Sequence, residues 1–537
     1  MTGRESKSGH TSKPEHGAIA CGHPGTAAAA QEILADGGNA FDAVLAGLCA
    51  ATVAEPVFCS LGGGGYLLAC PAGGPPRVYD FFVETPRRRR PPADIDFSPV
   101  LADFGTATQE FHIGLGAIAT PGAIAGLFAA HADLGSVPMA RLIEPAVRLA
   151  REGVHLRPID SYIFGIVGRI LTARPEGRAL FALAGPGAAS GRLLTTGETL
   201  RQPDLAVTFE ALAKEGPALF YGGELGRRLV ADCQSQGGQI TAEDLAGYQV
   251  VQRAPLERRY RHARMLTNPP PSSGGILIAF ALALLEGIDL SRAGYGSADH
   301  GQALARAMIL TNRARVESRL HEAMAEAEEQ AAAERLLDLD LLARYARDIL
   351  GRPHNPRGTT HISAVDAAGN IAALTISNGE GCGYILPDSG IMLNNMLGEE
   401  DLSPLGFHVW PEGSRMSSMM APTVAYLDDG RIAALGSGGS NRIRTAILQV
   451  LVNLIDFALP VDRAVAAPRL HIENAIANLE DGLSQESAQA AADLAKQTIQ
   501  WPAHNLFFGG VHTVTRDADG RCAGAGDPRR GGTAVIL

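Results

Sequence analysis

The spacing of apolar positions divides the chain into a helix-rich first part and a strand-rich second part. Residues 1–16 are polar and read as a disordered tail. Residues 26–35 then carry an apolar face of helical period, stopped by Gly37-Gly38. Residues 41–53 are apolar on almost every face, which predicts a helix buried all round. Four consecutive glycines, 62–65, precede a strand-like run at 66–70; such a run permits close backbone approach or a tight turn. The stretch 123–350 is mostly helical in pattern. Residues 142–151 end at Gly153, 205–215 end at Gly216-Pro217, and 303–346 are rich in Ala, Glu, Arg and Leu. The segment 351–358, Gly-Arg-Pro-His-Asn-Pro-Arg-Gly, breaks the helical run. Beyond it, 359–377, 422–436 and 509–516 read as short strands with turn signals. The change at 358/359 is the sharpest in the chain.

Within the strand-rich part, 359–366 and 371–377 read as one hairpin around Ala367-Ala368-Gly369-Asn370. A loop of two or four residues sets Thr359 opposite Asn378 and Thr360 opposite Ser377. Cross-strand packing of hydroxyl residues is the plain reading of this juxtaposition. A chemical reading arises because the usual nucleophile and metal signatures are missing: the chain has no G-x-S-x-G elbow, HExxH helix or GxxxxGK[ST] phosphate loop. Thr359, however, follows a glycine directly at a helix-to-strand break. Cleavage after Gly358 would give Thr359 a free α-amine beside its own hydroxyl, and an amine titrating near pH ~8 can serve as the base.

Composition narrows the class. At 537 residues, the chain exceeds one ordinary core unless it forms a large layered sheet. Its 46 basic and 57 acidic residues give a net charge of −11, with no electrostatic footprint for nucleic acid. The one basic run, arginines 87–90 between Pro86 and Pro91, reads as a solvated loop. Seven cysteines without a CxxC spacing predict neither a disulfide framework nor a thiolate zinc site. The N-terminus carries no apolar signal region, and the apolar run 276–285 stops at Glu286, too short to span a bilayer. The expectation is a soluble cytoplasmic protein with neither membrane nor nucleic-acid partner.

Many further motifs occur in one order: GGNAFDAV at 37–44, SLGGGGY at 60–66, DFxxE at 80–84, ATPGAIAGL at 119–127 and ITAEDLAGY at 240–248. PPPSSGG at 269–275, TTHISAVD at 359–366, SGIMLNN at 389–395, SSMMAPT at 417–423, GSGGSNRI at 436–443 and GDPRRGG at 526–532 follow. In this set the chain resembles the γ-glutamyltranspeptidase family of N-terminal-nucleophile hydrolases, from about residue 16 to 532. The resemblance implies an α+β fold, a four-layer αββα sandwich. It further implies a heavy chain, 17–358, and a light chain, 359–537, cut from one precursor between Gly358 and Thr359.

By the same resemblance, Thr359 is the nucleophile of self-cleavage and of turnover, and Ser377 is the hydroxyl that orients it. Gly438 and Gly439 are the pair whose amides face the oxyanion, where a Cβ would obstruct the approach. Ser417 and Ser418 would bind the γ-glutamyl α-carboxylate. An arginine of 87–90, nearest by spacing Arg90, would clamp it. Asn378 and Glu399 or Glu400 would hold the α-ammonium. The sequence departs from the family at Met396, which stands where Gln or Glu is common and offers an ammonium no strong acceptor. The connection 402–415 is also shorter than in many members, suggesting a more open site and an altered acyl preference.

The resulting expectation is a self-processing γ-glutamyl hydrolase/transpeptidase that acts on glutathione-like amides and passes the acyl group to water or an amino acid. No metal or organic cofactor is called for. One alternative is an amidohydrolase for another carboxylated amide, glutaryl- or oxamate-like. The other is an uncleaved, inactive relative that serves as a binding protein.

Overall fold

The computed structural model describes residues 17–103, 108–183, 191–318, 320, 326–337, 358–403 and 406–537. The polar segment 1–16, most of 351–358 and the end of the long Ala/Glu-rich run lie outside them.

Thirteen strands among the described residues build two large sheets. In chain order they are β1 (Gly17–Cys21), β2 (Gly64–Cys70), β3 (Arg77–Phe81), β4 (Val251–Arg253), β5 (Leu256–Tyr260), β6 (Ala263–Thr267) and β7 (Thr360–Asp366). Then come β8 (Ile371–Ser377), β9 (Thr423–Tyr426), β10 (Ile432–Gly438), β11 (Gly510–Arg516), β12 (Cys522–Ala525) and β13 (Thr533–Ile536). The first sheet runs β4-β3-β2-β8-β7-β1-β13, and the second β5-β6-β9-β10-β11-β12. Both sheets therefore draw strands from either side of residue 358. A cut at 358/359 would leave two fragments sharing both sheets.

Both faces of the first sheet are covered, so its central strands are buried without alternation to solvent. Ile19, Cys21, Leu67, Ile362, Ala364, Leu374 and Ile376 pack in one core with helices α1 (Pro24–Ala35), α2 (Ala40–Ala54), α3 (Ala123–Leu134) and α4 (Met139–Glu152). Ala18, Ala20, Tyr66, Leu68, Val365 and Ala373 point the other way, onto Leu266, Val424, Leu435, Val511 and Val514 of the second sheet. Helices α5 (Ser273–Leu285), α6 (Ala298–Glu317) and α7 (Arg442–Ile455) close the far side of the second sheet. The result is the four-layer αββα sandwich that the resemblance implied.

α2 is buried along its entire length, as its all-round apolar pattern predicts. It begins at Asn39, which accepts from the amides of Phe41 and Asp42, while Asp42 accepts in return from the Asn39 amide. The glycine run serves close approach. A Cβ on Gly63 or Gly65 would lie 2.2 Å from the Ser377 or Thr375 carbonyl oxygen, so only glycine lets β2 lie against β8.

The β7–β8 hairpin corrects the expected register. Thr360 pairs with Ile376 and Val365 with Ile371, one residue away from the pairing expected. The loop has three residues, Ala367-Ala368-Gly369, with Gly369 left-handed at φ 88°. Asp366 closes the loop: its carboxylate accepts from the Asn370 amide at 2.9 Å and Nδ2 at 2.8 Å, and from the Ala40 amide at 2.9 Å. A one-residue shift exchanges faces. Continued by one step, the observed register brings Thr359 opposite Ser377 instead of Asn378.

Candidate active site

The site lies where four chain segments end together: the start of β7, the end of β8, the end of β10 and the turn Pro528–Arg530. Thr359 is buried. Its Oγ1 donates to the Gly358 carbonyl oxygen at 2.7 Å, and Ser377 Oγ donates to the same oxygen at 2.7 Å. Ser377 is itself held by the Gly379 amide at 3.0 Å. Two hydroxyls thus converge on the peptide carbonyl at the predicted cut.

On the other flank, Arg530 Nη1 donates to the Thr359 carbonyl oxygen at 2.9 Å. The guanidinium lies over the Phe58 ring at 4.8 Å, and burial holds its pKa down at about 10. A Cβ on Gly438 would lie 2.0 Å from the Thr359 carbonyl oxygen, and Gly439 is left-handed at φ 120°. Gly438 is therefore pressed against the backbone of the candidate nucleophile, and Gly439 against Gly509. Behind it, Thr360 Oγ1 donates to Glu55 at 2.7 Å, and Thr26 Oγ1 donates to the other carboxylate oxygen at 3.0 Å. Burial pushes the Glu55 carboxyl above its ordinary range, against the pull of these two bonds.

The same threonine opens into a pocket. Thr359, Ser377 and Gly358 line it together with Met396, Glu399, Ser417 and Ser418. Trp410 and Pro411 from the short 402–415 connection line it as well. Glu399 is buried with its carboxylate beside Gly379, and Met396 is buried three residues before it. The Ser418 hydroxyl accepts from the Met420 amide at 3.0 Å, and its carbonyl accepts from Ser273 of α5 and from Ser272, the residue before it.

Three of the expected substrate residues fall elsewhere. Arg90 does not reach the pocket: its Nη2 donates to the Gln234 carbonyl at 2.8 Å, and its amide lies against Gln239. The neighbouring Arg88 and Arg89 pair with Glu243 and Glu412 on the surface, so the basic run is the solvated loop its pattern suggests. Asn378 is wholly buried and belongs to a structural turn, its carbonyl accepting from the Gly381 and Asn395 amides. Glu400 is exposed and outside the pocket wall, leaving Glu399 as the carboxylate inside it.

Five residues not singled out by the sequence complete the surroundings. Glu380, Arg530 and Glu55 touch Gly358, Thr359 and Thr360 in turn. Arg530 lies in the GDPRRGG motif, which could have flagged it; Glu380 and Glu55 have no local signal. The fourth, Arg415, lines the pocket, but its guanidinium is occupied by Asp80 at 3.1 Å, Glu84 at 2.9 Å and the Phe82 carbonyl at 2.7 Å. The fifth, Arg315 from α6, is the other guanidinium among the described lining residues.

An αββα sandwich with a buried threonine after a glycine, at the edge of a strand and against a glycine pair, defines the N-terminal-nucleophile hydrolase class. The family model for gamma-glutamyltranspeptidase matches residues 26–537, and the chain belongs to that family. Among curated relatives, the acylase ACY 1 proenzyme of Pseudomonas sp. (strain SE83) is 33% identical over 97% of this chain and 93% of its own. The glutathione hydrolase proenzyme of Escherichia coli (strain K12) is 31% identical over 93% of this chain and 88% of its own. Cephalosporin acylase from Bacillus halodurans superposes with a TM-score of 0.84 over 100% of this chain and 99% of its own, at 24% identity, a likeness of fold. Helicobacter pylori gamma-glutamyltranspeptidase superposes at 0.52 over 65% of this chain and 94% of its own, at 26% identity.

Proposed function

We propose that the protein is a self-processing N-terminal-threonine amidohydrolase and acyltransferase of γ-glutamyl amides. The observation that carries this reading is the buried Glu399 carboxylate in the same pocket as Thr359 and the Ser417-Ser418 pair. A carboxylate enclosed there disfavours a purely anionic acyl group and suits one that also bears an ammonium. In the cycle, the Thr359 α-amine takes the proton of its own hydroxyl, and Oγ1 attacks the amide carbonyl. The backbone amides of Gly438 and Gly439 serve the oxyanion; the close approach of Gly438 to the Thr359 carbonyl oxygen, where a Cβ would lie 2.0 Å away, supports this. Ser377 orients the hydroxyl. The amine leaves, and water or an acceptor amine takes the acyl group from the threonyl ester. Ser417 and Ser418 serve the acyl carboxylate, while Arg415 is engaged by Asp80 and Glu84.

A second reading, a glutaryl-type acylase, is favoured by Met396 and by the acylase proenzyme at 33% identity. Met396 withholds one acceptor from the ammonium. One charge-assisted hydrogen bond is worth ~1.5–3 kcal/mol, or roughly ten- to more than hundredfold in specificity. The test is kcat/KM for a γ-glutamyl anilide and its des-amino glutaryl analogue. The expected result is a measurable but modest preference for γ-glutamyl that Met396→Gln sharpens and Glu399→Gln abolishes. A clear preference for glutaryl that survives Glu399→Gln would establish the second reading instead.

A further inference from the structure

A second cavity, of about 660 Å³, shares no lining residue with the Thr359 pocket. It is lined from α6, α7, α8 (Val461–Ala466) and the start of α9 (Gln485–Ala492), and its volume suits a small organic ligand. Leu304, Leu459, Leu470 and Leu483 give it an apolar lining, to which the exposed Tyr295 adds a ring. Gln449 and Asn453 of α7 also line it, but their side-chain amides hold the walls, donating to the Leu470 carbonyl at 3.0 Å and the Ala464 carbonyl at 3.1 Å. His300 is different. It is 6% exposed, with its ring 5.5 Å from Tyr295 and 4.8 Å from Phe457. Its Nδ1 accepts from the Gly296 amide at 3.1 Å, which leaves the ring proton on Nε2, and Nε2 is buried without a partner. Burial holds the imidazole pKa down at about 4, so the ring is neutral and this N–H is a donor awaiting an acceptor. Arg463, also in the lining, is exposed and pairs with no carboxylate among the described residues, and its charge reaches Tyr295. Both α6 and α9 begin at the cavity: Ser297 and Ser484 cap them by accepting from the His300 and Ser487 amides, each at 3.1 Å. The positive ends of two helices are therefore added to one free guanidinium. No carboxylate is among the described lining residues; the nearby Asp299, Asp462 and Glu486 are exposed and outside it.

We propose that this cavity is a second ligand site, which takes an arylalkyl monocarboxylate. The Arg463 guanidinium and the His300 Nε2–H hold the carboxylate, and Tyr295 with the leucines covers the hydrocarbon body. Charge selects among the candidates. One free cation and one neutral donor match a single negative charge, whereas a phosphate dianion calls for more cations or a nest of backbone amides. A cationic ligand would find no carboxylate in the lining. A wholly apolar ligand would leave the buried Nε2–H still without an acceptor. The site stands apart from Thr359, so its occupation does not depend on which acyl group the protein transfers.

Isothermal titration of the purified protein with 4-phenylbutyrate, and with its neutral amide, tests this. The acid is expected to bind with a Kd of about 1 mM or tighter, and the amide roughly tenfold or more weakly. Arg463→Gln is expected to weaken the acid about tenfold and to leave the amide unchanged. Ala466→Trp puts a large ring on an exposed lining position and is expected to abolish binding of both. Because both positions are exposed, each variant is expected to keep the thermal midpoint of wild type. Equal affinity for acid and amide, or no binding of the acid up to about 10 mM, would overturn the proposal. So would binding of the acid that neither variant weakens, which would place it in the Thr359 pocket instead.

Discussion

Gly438 has no room for a side chain, because a Cβ there would press on the Thr359 carbonyl oxygen that Arg530 holds. Gly438→Ala should therefore displace the nucleophile itself, and Gly439→Ala, at φ 120°, should strain the turn beside it. Both are expected to lower kcat by ~10²-fold or more, with KM changed only a few-fold. Steady-state kinetics on the cleaved variants checks this; unchanged turnover would remove the glycine pair from the reaction. At this scale the sequence was legible where chemistry names the residue, as for a threonine after a glycine. It was less so where neighbours compete for one role. Arg87 to Arg90 and Glu399-Glu400 each needed the path of the backbone to decide which side chain points where.

Elements were readable where a period was long, and ambiguous where one loop residue set the outcome. The helices and the β7–β8 hairpin stand near their predicted positions, but Asp366 closes a three-residue loop and shifts the register by one. No propensity distinguishes that loop from a two- or four-residue one, since the deciding bonds are made by a side chain that also caps α2. The C-terminal end of α2 makes a comparable long-range link, in which Glu55 ties Thr26 of α1 to Thr360 of β7. Glu55→Ala would leave both hydroxyls buried without their acceptor. The expected loss is about 2–4 kcal/mol, with a smaller loss for Glu55→Gln, which retains one acceptor oxygen. Chemical denaturation midpoints of the two variants check the order; equal stability of Ala and wild type would contradict it.

At the scale of the whole molecule, the mixing of strands from both sides of residue 358 explains why two halves with different patterns form one sandwich. That interleaving was not visible in the pattern along the chain, because it depends on which strands pair across hundreds of residues. It also buries many titratable groups. Burial lowers the pKa of His23, His300, His471 and His512 to about 4 each, and holds His361 well below the usual value as well. Between pH ~6.5 and about 4 the unfolded chain binds protons at these sites while the folded chain does not, so stability rises with pH across that window. The buried carboxyls Glu55 and Glu84 are raised and act with the opposite sign, but they are fewer. Thermal midpoints are expected to fall as pH is lowered from 7 to 5. A flat or rising profile would contradict the neutral burial of the histidines.

Everything else depends on Thr359 cleaving its own chain and then serving as the nucleophile. Purification of wild type and Thr359→Ala, followed by intact mass measurement and N-terminal sequencing, tests this in one step. Wild type is expected to give two fragments, the smaller beginning Thr-Thr-His-Ile-Ser, and Thr359→Ala a single uncut, inactive chain. An active wild type with any other new N-terminus would show that Thr359 does neither, and a Thr359→Ala chain cut at the same place would show that it does not cleave its own chain.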